Sequence, residues 1–115
     1  MTEALARRWI DDRRSAVRER LAAVEGRLAQ VRVARGEWTD EEHDPEGFAL
    51  TFEWQQAEGA RAQHLAELHD LDLAEARAVA GDYGVCTRCG DPIPAEQLEL
   101  RPARTVCVAC ADSRH

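Results

Sequence analysis

The residues of this chain best suited to chemistry are four cysteines in two Cys-x2-Cys pairs, Cys86-Thr87-Arg88-Cys89 and Cys107-Val108-Ala109-Cys110. They are all of its cysteines, and seventeen residues separate the pairs. Two short turns at that separation can bring four thiolates onto one tetrahedral Zn²⁺. The competing uses, a redox dithiol or a pair of disulfides, fit two such pairs less well than one closed metal site does. Gly90 directly follows Cys89 and supplies the positive φ that a tight knuckle turn needs. Arg88, Arg101 and Arg104 lie close enough in sequence to offset the negative charge of a four-thiolate zinc centre. The apolar residues around the pairs are few, chiefly Val85, Ile93, Leu98, Leu100, Val106 and Val108. One structural zinc ion is therefore expected to supply folding free energy that so small a core lacks.

No second reactive constellation stands out. His64 and His69 are not at i,i+4 spacing, His43 is distant from both, and His115 ends the chain, so no further metal site is expected. The thiols are committed to zinc, and no Ser/His/Asp arrangement is visible. The segment from Glu37 to Glu46 has six acids and no base, but no apolar pocket that would raise a carboxyl pKa for acid/base work. The chain reads as a non-enzyme.

Long helices must carry this module. With 115 residues, 44% of them hydrophobic but only 5% aromatic, the chain can bury a helical seam more readily than a thick core. Residues from about Thr2 to Arg35 read as one helix with Thr2 as N-cap. Ile10, Val17, Val24 and Val31 recur every seven positions with Leu21 and Leu28 between them, which is a coiled-coil seam. Arg14 interrupts the leucine series. Leu5 and Trp9 extend the apolar surface toward the cysteine module. A loop follows Gly36. A second helix starts at Pro45 or Gly47, with Asp44 as N-cap and Pro45 at N1, and runs to Ala80, where Gly81 suits the C′ position. Trp54, Ala57, Leu68, Leu71 and Ala78 fit its seam with Arg61, His64 and Glu75 as polar members, and Leu65 or Ala74 sharing it. Phe52 and Trp54 read as packing residues. The expected fold is mainly α: a long antiparallel helical hairpin over 1–80 with an acidic tip at 37–47, and a small C4 zinc-finger module over 81–115.

Charge sharpens the pairing. Residues 1–36 hold nine arginines against five acids, and residues 47–80 hold two arginines against six acids. The two helices thus carry opposite net charge, which favours pairing within one chain and a monomer. The net charge is −7 and no basic stripe is present, so binding nucleic acid through phosphates, and sequence-specific DNA binding with it, are not expected. The first ten residues lack the apolar run of a signal peptide, and no stretch approaches the roughly 18 apolar residues of a membrane span. A cytoplasmic protein with no membrane partner is expected.

The run Gly81-Asp82-Tyr83-Gly84-Val85-Cys86-Thr87-Arg88-Cys89-Gly90-Asp91-Pro92-Ile93, then Leu98-Glu99-Leu100-Arg101-Pro102-Ala103, then Cys107-Val108-Ala109-Cys110, resembles the C4 zinc-finger signature of the DksA/TraR family. The hairpin before it is similar to that of the longer members. The resemblance implies a transcriptional regulator that binds bacterial RNA polymerase, not DNA, and places an acidic coiled-coil tip in the secondary channel near the catalytic Mg²⁺. The longer members carry Asp-x-x-Asp-x-Ala at the tip, and Asp44-Pro45-Glu46-Gly47-Phe48-Ala49 is the segment that matches best. Asp44 and Ala49 match, while Gly47 stands where the family has its second Asp. Glu46, Asp40, Glu41 and Glu42 are the carboxylates near it. The second helix offers only Arg61 and Arg77, so strong dependence on guanosine tetraphosphate is not expected. The rival readings are a zinc-finger module that binds another protein without tip activity, and a zinc finger that binds nucleic acid.

Overall fold

In a computed structural model, residues 2–37 and 45–113 are described, with side chains for 2–36 and 49–113. Four helices make up the described residues: α1 (Glu3–Glu37), α2 (Pro45–Ala80), α3 (Ala95–Leu100) and α4 (Val108–Asp112). Among the described residues there is no β-strand, only an isolated antiparallel bridge between Val85 and Pro92. No helix among them is long and apolar enough to cross a membrane.

The helix ends follow from capping chemistry. The Thr2 hydroxyl accepts a hydrogen bond from the Leu5 amide at 3.2 Å and the Thr2 carbonyl accepts from Ala6 at 3.1 Å, so Thr2 satisfies donors that the first turn of α1 leaves unpaired. α2 opens on Pro45, whose fixed φ suits a first helical position. It ends in a Schellman motif: Asp82 N–H donates to the Arg77 carbonyl at 2.9 Å, and Gly81 N–H to Ala78 at 3.3 Å, with Gly81 at φ 86°. A Cβ at position 81 would meet nothing within 4 Å, so the demand for glycine there is purely conformational. Gly81→Ala is expected to cost about 1 kcal/mol, read as a lower urea midpoint with an unchanged m-value.

The chain divides into two compact units, Met1–Ala16 with Glu67–His115, and Val17–Ala66. In the first, the start of α1 lies against the end of α2 and the cysteine module completes the unit. Its core holds Ala6, Ile10, Leu71, Ala74, Ala78, Tyr83, Ile93 and Leu98. Ala74, not Leu65, joins the α2 seam: Ala74 is buried and Leu65 is exposed. Leu5 is exposed as well, and Trp9 half-buried. Arg13 clasps Glu67 through Nε and Nη2 at 2.6–3.2 Å, a fork-to-fork pair of the kind in which geometry adds to charge.

In the second unit the end of α1 pairs with the start of α2. Val17, Leu28, Val31 and Ala57 are buried, and Leu21 and Val24 half-buried, so the heptad reading of α1 holds. Arg27 Nε reaches Glu53 at 2.7 Å. Trp54 is half-buried and receives the guanidinium groups of Arg32 and Arg35, each 5.7 Å from the ring centroid, a cation–π arrangement. Phe52 departs from its expected packing role: it is 58% exposed, because its position on α2 falls outside the stripe defined by Trp54, Ala57 and Arg61.

Candidate metal centre

Three short local structures hold the four cysteines. The chain leaves the Schellman turn through Gly84, at φ 84°, and folds back on itself: Ile93 N–H donates to Gly84 O at 2.7 Å and Cys86 N–H to Asp91 O at 2.9 Å. Gly90, at φ 80°, closes the first knuckle with its N–H on the Cys86 carbonyl at 2.9 Å. This is the turn for which glycine was expected. The second knuckle runs from Cys107 into α4. It is tied to the first by Thr87, whose N–H and hydroxyl both donate to Thr105 O, at 2.9 and 3.2 Å.

The knuckles converge. The Sγ atoms of Cys86, Cys89, Cys107 and Cys110 all lie within 4.8 Å of one another. Four sulfurs bound to zinc at about 2.3 Å would stand about 3.8 Å apart, so adjustments of at most about an ångström close the cluster on the ion. All four are free thiols, which suits zinc ligation. The donor set is all sulfur, the chemistry of a closed structural site.

Cys86 is the anchor of the cluster. It is 1% exposed, and its sulfur accepts the N–H groups of Cys89, at 3.5 Å, and Cys107, at 3.4 Å, one from each knuckle. Those donors, Cys89 first, draw its pKa down to about 6, so this sulfur is a thiolate at neutral pH. Cys110 is the opposite case. Its side-chain hydrogen bond with Cys107, reinforced by burial, pushes its thiol up to about 12, and zinc must displace that proton.

The arginines act differently from the sequence expectation. Arg88 Nη1 donates to the Cys110 carbonyl at 2.9 Å, and Arg104 Nη1 to the Val106 carbonyl at 2.9 Å, so both secure the second knuckle through its backbone. Arg101 is exposed. Arg77, in the last turn of α2, donates to the Ala103 carbonyl at 3.4 Å and joins helix to module. The apolar contribution is smaller than the residue types suggest: Ile93 and Leu98 are buried, while Val85, Val108 and Leu100, the last 78% exposed, are not. Tyr83 and Pro102 fill the gap; burial raises the Tyr83 phenol pKa, with Arg77 opposing. Gln97 of α3 is a further residue that sequence reasoning missed. Its Oε1 accepts the Val108 N–H at 2.9 Å and so caps the first turn of α4.

The tip residues are in a different situation. Asp40, Glu41, Glu42 and Asp44 lie outside the described residues, as does the side chain of Glu46; Ala49 is on α2 and exposed.

Fold and site together define a mainly helical protein with a small four-cysteine zinc module. Residues 81–114 match the family described as the prokaryotic dksA/traR C4-type zinc finger; that segment is a zinc finger of this kind, and it takes one structural zinc ion. The structure of transcription factor DksA2 from Pseudomonas aeruginosa superposes with a TM-score of 0.77 at 22% identity, covering 96% of this chain and 80% of that one, a likeness of fold. An uncharacterised protein of Aquifex aeolicus (strain VF5) is 31% identical over 78 residues, 67% of this chain. The chain spans about half of that relative's length, 54%.

Proposed function

We propose that this protein is a transcriptional regulator that binds bacterial RNA polymerase at the secondary channel. The observation that carries the reading is the dksA/traR-type zinc finger at 81–114 on a chain whose fold is that of DksA2 over 96% of its length. The zinc module has a structural role in this reading and does no chemistry. The paired helices present the segment between them to polymerase, and Asp44 and Ala49 are its primary contacts. Glu46, Asp40, Glu41 and Glu42 supply the carboxylate that Gly47 cannot. The protein acts in the cytoplasm, as a monomer, and without direct contact with DNA.

Co-purification with RNA polymerase tests binding, and competition with a secondary-channel factor tests the place of binding. Asp44→Ala is expected to keep most of the binding and abolish the effect on a responsive promoter in a single-round transcription assay. Full regulation by that variant would remove the tip from the reading. Binding without competition would instead favour an interaction module that lacks tip activity, the reading to which Gly47 points.

A further inference from the structure

α4 brings Cys110 to the metal centre, yet apolar packing does not fasten it. None of the residues of Val108–Asp112 is buried, and a helix so short does not hold its shape alone in water. It has to be tied at its ends. At the start the ties are several: Cys107 N–H donates to Cys86 Sγ at 3.4 Å and Val108 N–H to Gln97 Oε1 at 2.9 Å, just after the two bonds from Thr87 to Thr105 O. At the other end, where a helix leaves its last carbonyls unpaired, Arg88 Nη1 donates to Cys110 O at 2.9 Å and to Ser113 O at 3.5 Å. Among the described residues no other side chain donates to the Cys110 carbonyl, and the Ser113 N–H that does, at 3.2 Å, belongs to the same turn.

We infer that Arg88 is the positioning residue for Cys110: it holds this ligand where zinc needs it, and the affinity of the centre for zinc depends on it. Arg88 is placed to do so because it lies inside the first knuckle, between Cys86 and Cys89, where Gly90 N–H closes the turn on the Cys86 carbonyl. One cysteine pair fixes its backbone, and its side chain fixes the other pair. The guanidinium is always charged, and a carbonyl held by a charged donor is held more strongly than by a neutral one. Charge alone is the competing explanation, since a cation favours four thiolates around one Zn²⁺ wherever it stands nearby. The two effects differ in where they act: charge bears on all four sulfurs, whereas the bond to Cys110 O bears on one end of α4.

The test uses the full chain as wild type, Arg88→Ala, Arg101→Ala and Arg88→Lys. Arg88 and Arg101 are both exposed, so truncating either opens no cavity and removes the same charge from the same module. Competition with a chromogenic chelator reads zinc affinity, and amide hydrogen exchange of the zinc-saturated forms reads each knuckle separately. Arg88→Ala is expected to weaken zinc binding about tenfold or more, as loss of a group that orients a metal ligand does, and Arg101→Ala by less than about twofold. Exchange at Ala111 and Ser113, whose amides donate to Cys107 O and Cys110 O, should quicken at least about tenfold in Arg88→Ala. Gly90 and Ile93 of the first knuckle should not change. Equal weakening by the two alanine variants would overturn the inference and leave only charge, as would uniform quickening at all four amides or wild-type affinity in Arg88→Ala. If Arg88→Ala takes up no zinc, Arg88→Lys decides, because it keeps a charged donor on a long side chain: recovered binding supports the positioning role, and no recovery overturns it.

Discussion

Stripping zinc with a strong chelator is expected to unfold residues 81–113 while most of the signal from α1 and α2 remains, and Cys86→Ser is expected to do the same without a chelator. The buried residues of the module are few, and a structural zinc contributes roughly 10–16 kcal/mol of apparent binding free energy in small zinc domains. That exceeds anything Tyr83, Ile93, Leu98 and Pro102 supply by burial. Cys86 is the most consequential of the four ligands because its sulfur holds an N–H from each knuckle as well as the metal. Cys89→Ser removes a ligand but leaves both of those bonds, so its zinc loss should be smaller. Zinc content by mass spectrometry and amide dispersion in NMR spectra check the ranking, and equal loss from the two variants would contradict it. The pH dependence has a definite sign. Protons compete with zinc for sulfur, so zinc is retained above neutrality and released as acid protonates the thiolates, Cys86 last because its pKa, about 6, is lowered.

Leu71→Ala should be the most damaging change in the helical part of the first unit. Leu71 is fully buried, as are Ile10 and Ala74, and Leu→Ala at such a site costs about 2–5 kcal/mol in lost transfer energy and residual cavity. For a chain of this size that lowers the melting temperature by about 10 °C or more. Leu73→Ala, two residues on, is the control: Leu73 is 48% exposed and its truncation should cost well under that amount. Calorimetry on the zinc-loaded variants separates the two, and comparable losses would place Leu71 outside the core.

The long helices were legible because their limits rest on local chemistry. Thr2 at the start of α1, Pro45 at the start of α2 and Gly81 after its end act through the backbone of their own neighbours, which sequence displays directly. The cysteine pairs were legible for the same reason, since spacing alone restricts what four thiols can do. Arg14 was visible only as an interruption, because its ion pairs are with Asp72 and Glu75 of α2, which only pairing of the helices brings near. Gln97, Arg88 and Arg104 were misjudged or missed for a related cause. Gln97 and Arg88 meet a backbone group of a distant turn and Arg104 one only two residues on, and no residue type or period marks such a group. Phe52 shows the limit of reading aromatic character as burial, since helical phase and not hydrophobicity decides which side of α2 it takes.

The four sulfurs differ in access: Cys86 is closed off, Cys107 and Cys110 are partly covered, and Cys89 is exposed. Exchange of the metal is then a directional event. An incoming thiol or chelator reaches the ion from the Cys89 side, so ligand substitution begins there and ends at Cys86. The first knuckle turn, which carries both the most open sulfur and the most closed one, is therefore expected to govern how fast metal exchanges, a property separate from how tightly all four ligands hold it.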